Sequence, residues 1–73
     1  MPKFPGLSGK DIIRALEKLG FRVARQTGRH ALMKKGSKGC VVPNHKEVKV
    51  GTVNGVLRQA EISPEEFQKA LSD

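Results

Sequence analysis

Glycine-bearing turns divide the middle of this chain into short segments, and that punctuation constrains the fold more than any other feature. Thr27-Gly28 reads as one turn, and Gly36-Ser37-Lys38-Gly39, with its two glycines, suits a short hairpin loop. The first segment they bound is residues 21–26, where Phe21 and Val23 alternate with Arg22 and Ala24. Residues 30–35 and then 40–42 follow, with Pro43 closing the third strand. Turns this tight join antiparallel neighbours, so a three-stranded meander is expected.

Helical signals flank this block. Ser8 and Asp11 have capping-box spacing, and Ile12, Ile13, Leu16 and Leu19 fall on one apolar stripe. Gly20 then ends a helix over residues 8–19 as a left-handed C-terminal residue. A second helix is expected over residues 50–61, with Val53, Val56, Leu57 and Ala60 on one face. Gly55 weakens that helix by about 1 kcal/mol relative to alanine, or allows another backbone to approach closely. Ser63-Pro64-Glu65-Glu66 starts a last short helix that buries Phe67, Ala70 and Leu71. Both main apolar stripes must cover one sheet face. The expected fold class is α+β: helix, three-stranded antiparallel sheet, helix and a short C-terminal helix, arranged as in double-stranded-RNA-binding domains.

A chain of 73 residues makes one small domain, burying only about 60% of its unfolded surface, so residues 1–73 are taken as a single unit without a large enclosed pocket. The formal charge is +7, from 14 basic and 7 acidic residues, which favours nucleic acid or another polyanion as partner. The same charge also serves a merely soluble surface. Cys40 has no second cysteine to pair with, as expected in a reducing cytosol. No apolar run approaches the length of a membrane span, and MPKFPGLSG at the start lacks a signal peptide's hydrophobic region. A soluble, cytoplasmic protein is expected.

The chemistry concentrates between Gln26 and His45. His30 stands where a strand begins, among Arg29, Lys34, Lys35 and Lys38. Those cations attract a phosphate-bearing polymer, and an imidazole exchanges protons near neutrality. Together they suggest a ribonuclease. His45 reads as proton donor, phosphate contact or loop anchor, with a structural or substrate-orienting role favoured. Two histidines without a carboxylate or thiolate at metal-ligand spacing give no case for zinc, and no cofactor is called for. The Gly36 to Gly39 loop lacks the Walker pattern. Cys40 reads as a small buried hydrophobe. Phe4, Phe21 and Phe67 are the only aromatic residues, so binding by base stacking is unsupported.

Four segments then resemble one family: LEKLGF at 16–21, RQTGRHALM at 25–33, VVPNH at 41–45, and VGTVNGVLRQAEIS at 50–63 running into PEEF. Each is weak alone, but their order and spacing resemble the HicA family of messenger-RNA-cleaving toxins over nearly the whole chain. The resemblance implies a double-stranded-RNA-binding-like fold, metal-independent cleavage of messenger RNA, and a HicB-type antitoxin as partner. His30 aligns with the family's catalytic histidine. Where the family commonly has Gly-Ser-His, often followed by another histidine, this chain reads Gly28-Arg29-His30-Ala31.

RNA carries its own nucleophile, the ribose 2′-hydroxyl, and His30 is the candidate base. Arg29 and Lys34 are the nearest candidates to neutralise the phosphate, one with a bidentate fork and one as a point charge. Lys35, Lys38 and His45 complete the expected RNA contacts. Strand alternation puts His30 in phase with Leu32 and Lys34, which disagree about a buried face. A place at the strand's start reconciles them if Leu32 stays covered. Two other readings compete: a strand histidine satisfied by backbone within a non-catalytic RNA-binding module, and a basic domain that meets an acidic protein.

Overall fold

Ser8 and Asp11 close the predicted capping box at the start of α1 (Gly9–Lys18). The Asp11 amide donates to Ser8 Oγ at 3.2 Å, and the Ser8 amide donates to Asp11 Oδ2 at 3.1 Å. Hydrogen bonds from Ser8, from its backbone amide first and its side chain second, hold the Asp11 carboxyl below its ordinary range. At the other end Gly20 takes the left-handed φ of 99° that the sequence demanded. The Gly20 amide donates to the Glu17 carbonyl, and the Phe21 amide to the Leu16 carbonyl at 2.9 Å. That pair of bonds reverses the chain into the sheet.

The structure, a computed structural model, describes residues 6–72. The expectations drawn from the opening residues, including Phe4, lie outside them. Within them β1 (Arg22–Thr27), β2 (His30–Lys35) and β3 (Lys38–Pro43) form an antiparallel sheet in that order. The meander is as expected, but both turns shift by a residue or two. The first is Gly28-Arg29, so Thr27 ends β1 and pairs with His30. The second is Gly36-Ser37, so Lys38 and Gly39 belong to β3. In each, one glycine with φ near +60° (Gly28 at 54°, Gly36 at 61°) is enough to close a two-residue hairpin. Gly39 is thereby free to pair within the ladder, opposite Lys34.

The strand β1 departs furthest from expectation. Phe21 is buried, but it precedes the strand; Val23 is 38% exposed, and every residue of β1 lies at the surface. The ladder also slips between Val23 and Arg25, leaving Ala24 as an extra, unpaired residue.

α2 (Val50–Ala60) packs chiefly on β3, and α3 (Pro64–Ser72) packs against α1. α1 also touches all three strands, so the helices cover the sheet face that buries Ala31, Met33, Cys40 and Val42. One cluster unites Ile12, Leu16, Met33, Val42, Val53 and Phe67, each fully buried. Leu71 is half-buried beside it rather than enclosed. The Ser63–Glu66 capping box forms, with the Glu66 amide on Ser63 Oγ at 3.1 Å and the Ser63 amide on Glu66 Oε1 at 3.3 Å. On the outer edge of β3 the Val41 amide donates to Gln59 Oε1 from α2 at 3.1 Å, which occupies a donor that would otherwise invite another strand. No helix among the described residues is long and apolar enough to cross a membrane.

Gly55 has no neighbouring group within 4 Å of where a side chain would start, so it is not a point of close approach. That point is Gly9. A Cβ there would sit 2.5 Å from both the Pro43 carbonyl oxygen and the Asn44 Cα. The start of α1 thus rests directly on the chain leaving β3.

Candidate nucleic-acid interface

Burial along β2 alternates from Ala31 and Met33, which face the helices, to His30, Leu32 and Lys34, which do not. The second set occupies the sheet's uncovered face. Directly paired residues of antiparallel strands share a face, so the register fills it in rows. Thr27, His30 and Pro43 make the first row; Arg25, Leu32 and Val41 the second; Arg22, Lys34 and Gly39 the third. Leu32 is therefore not covered by the helices, and is only half-buried on the open face. The unresolved alternation of the sequence reflects a face that is not a core.

Arg22 and Arg25 were not among the expected site residues. Three residues apart, they would point to opposite faces of a regular strand; the extra residue Ala24 brings both to the open face. No bulge is readable from the sequence. A signal for the charge was nevertheless there: between Glu17 and Glu47 no acidic residue occurs. The open face therefore carries Arg22, Arg25 and Lys34 in two rows next to that of His30, with no carboxylate in the strands to neutralise them.

His30 is exposed at the end of β2 nearest the β1–β2 turn. Lys34 shares its face four residues along, about 13 Å away along the backbone at strand spacing. Arg25, in the row next to His30, is closer. Lys35 is turned to the helix side, where its Nζ donates to the Leu19 carbonyl at 2.8 Å and lies 6.0 Å from the centre of the Phe21 ring. It neutralises the C-terminal end of α1. Lys38 pairs with Lys35 at the far hairpin. These two lysines are thus away from His30.

Arg29 and His45 come together instead. Both are exposed, and with Asn44 and Lys46 they line a shallow depression beside the β1–β2 turn. The Asn44 amide donates to the Arg29 carbonyl at 2.6 Å, and the Gly9 amide to the His45 carbonyl at 2.8 Å. His45 is thereby an anchored loop residue whose backbone is fixed and whose ring is free to meet a ligand.

Cys40 faces the core, and burial pushes its thiol up to about 11. It stays protonated and unreactive at neutral pH, as a buried hydrophobe should. No group of three or more metal-ligating side chains exists among the described residues.

The family profile described as HicA toxin of bacterial toxin-antitoxin matches residues 9–62. A comparison with curated proteins gives no match. The matched stretch begins at the first residue of α1, ends just after α2, and contains the whole sheet with both histidines. It covers well over half of the chain, which therefore belongs to the HicA family of toxins of bacterial toxin–antitoxin systems.

Proposed function

We propose that this protein is a cytoplasmic, metal-independent endoribonuclease toxin that cuts messenger RNA, with His30 as its proton-transfer group and a HicB-type antitoxin as its inhibitor. One observation carries the reading: an imidazole stands exposed on a sheet face that holds three further cations and no acid. Lys and Arg contacts to phosphates hold RNA with little sequence preference and with strong salt dependence. His30 takes the proton of a ribose 2′-hydroxyl; the 2′-oxygen bonds to the adjacent phosphorus, and the bond from phosphorus to the 5′-oxygen breaks. Water at this uncovered face supplies the proton to the leaving oxygen. Arg25 and Arg29 are the cations near enough to steady the phosphate charge, while Arg22 and Lys34 guide the strand along the sheet.

The products are then a 2′,3′-cyclic phosphate and a 5′-hydroxyl. In excess chelator the purified protein is expected to cut an RNA oligonucleotide to those ends, and to leave uncut a strand whose nucleotide before the cut is 2′-deoxy. Cleavage of the deoxy strand, or activity that vanishes with chelator and returns with a divalent ion, would reject this chemistry. RNA binding without cleavage would instead make the protein a non-catalytic RNA-binding module.

A HicB-type antitoxin of acidic or apolar surface fits the same face, where Leu32 and Val41 add apolar area among the cations. It inhibits by covering Arg29, His30 and Lys34. Added salt is expected to slow its association, and it should compete with RNA. Simultaneous binding of both, with cleavage still suppressed, would exclude occlusion.

A further inference from the structure

The end of the sheet where His30 stands carries more cation than the cleavage step uses. Asn44 follows Pro43, the β3 partner of His30, and its bond to the Arg29 carbonyl ties the β1–β2 turn to the connection before α2. From the opposite side the Gly9 amide holds the His45 carbonyl, and the Val48 amide donates to the Leu7 carbonyl at 2.7 Å. Arg29, Asn44, His45 and Lys46 line one depression; Ser8 and Lys10 line a second with the same Asn44, His45 and Lys46. Three shared residues make the two depressions adjoining parts of one trough at this end of the sheet.

Its walls carry Lys10, Arg29 and Lys46 as permanent cations, with an imidazole, an amide and a hydroxyl between them. No lining residue is acidic. Asp11, next to Lys10, has its carboxylate engaged by the Ser8 amide. Phosphate is the ligand such a set recognises, through charge-assisted bonds from the Arg and Lys side chains. Arg29 is one residue from His30, and Asn44 is one residue from its paired Pro43. The trough therefore opens directly beside the reacting group, where the neighbouring phosphate of a bound strand would lie. Attack by the 2′-oxygen also needs it in line with the leaving oxygen, a geometry that an unpaired strand can reach and a regular duplex resists.

We propose that the trough is a second phosphate subsite, an inference that rests on the ribonuclease reading above. An unpaired RNA strand crosses the open face with its scissile phosphate at His30, then enters the trough. The phosphates on one side of the cut are held there by Lys10, His45 and Lys46, with Arg29 between them and the scissile phosphate. The substrate class is single-stranded RNA that extends past the cut in one direction.

The test uses the full chain, a dinucleotide, and RNA strands lengthened stepwise on the 5′ or the 3′ side. Lengthening on one side only is expected to raise kcat/KM of the native protein, through KM. In Lys10→Ala/Lys46→Ala, kcat/KM on the long strand should fall about tenfold, again through KM, with much less loss on the dinucleotide. For an uncleavable 2′-O-methyl strand, the dependence of log affinity on log salt should become shallower by about 1.4. Equal losses on long and short substrates, or an unchanged salt slope, would overturn the subsite while leaving His30 chemistry standing. If the native protein cuts no strand but the double variant still flattens the salt slope, the trough is an RNA contact and the ribonuclease reading is what fails.

Discussion

His30→Ala is expected to lower RNA cleavage by about 10²- to 10⁴-fold, the usual contribution of a positioned acid–base group, and to abolish toxicity on expression. The fold should be indifferent to the change. His30 is exposed at a strand end, and its pairing with Thr27 and Pro43 runs through backbone rather than imidazole. RNA affinity should also persist, because Arg22, Arg25, Arg29 and Lys34 keep their places around it. The loss therefore belongs to kcat, and it separates His30 from the cations, whose removal raises KM and flattens the salt dependence. Single-turnover cleavage, a thermal melt and the affinity for a 2′-deoxy strand check the three parts. A folded His30→Ala protein that cuts RNA at the native rate would end the proposed mechanism. One that neither melts cooperatively nor binds RNA would show that His30 has a structural role instead.

Much of this architecture was legible because it depends on local signals that act at short range. Ser8 with Asp11, Gly20, and Ser63 with Glu66 each satisfy helix-end groups by themselves, so the caps formed where the spacing put them. The apolar stripe of α2 fell on the core for the same reason. What failed depended on the pairing of strands. The alternation of Phe21 and Val23 with Arg22 and Ala24 gave a strand over residues 21–26, but not that the strand would start at Arg22 with every one of its residues exposed. The same limitation hid Arg22 and Arg25, whose shared face exists only because Ala24 bulges. Lys35 shows the converse. It belonged to the cationic run by sequence, but its side chain meets the last carbonyl of the preceding helix turn, a partner sixteen residues away. His30 was legible as a chemical group and, by resemblance, as a candidate catalyst; its exposure was not, because Leu32 could be counted as core until the register put it on the open face.

Gly9→Ala is expected to destabilise the protein by about 1–3 kcal/mol, the usual cost of forcing extra volume into a packed site. Helix propensity alone predicts the opposite, since alanine is about 1 kcal/mol better than glycine within a helix. The difference lies in what the new methyl group meets. At Gly9 it would come 2.5 Å from the Pro43 oxygen and the Asn44 Cα, both backbone atoms that no rotamer change can move aside. To relieve the clash, α1 must move away from the end of β3, which breaks the bond from the Gly9 amide to the His45 carbonyl. Asn44 and its bond to Arg29 follow, so the turn beside His30 loses its brace. At Gly55, in contrast, nothing lies within 4 Å and the φ is not positive, so Gly55→Ala should stabilise the chain by up to about 1 kcal/mol. The same substitution thus acquires opposite signs at two helical positions. A domain of this size has only about 4–11 kcal/mol of stability to lose, and each kcal/mol shifts the melting temperature by about 4–8 °C. The two variants should therefore melt on opposite sides of the native protein. A Gly9→Ala variant as stable as the native chain, with undiminished affinity for an uncleavable RNA strand, would mean that the contact between α1 and Pro43-Asn44 neither holds the fold nor shapes the site.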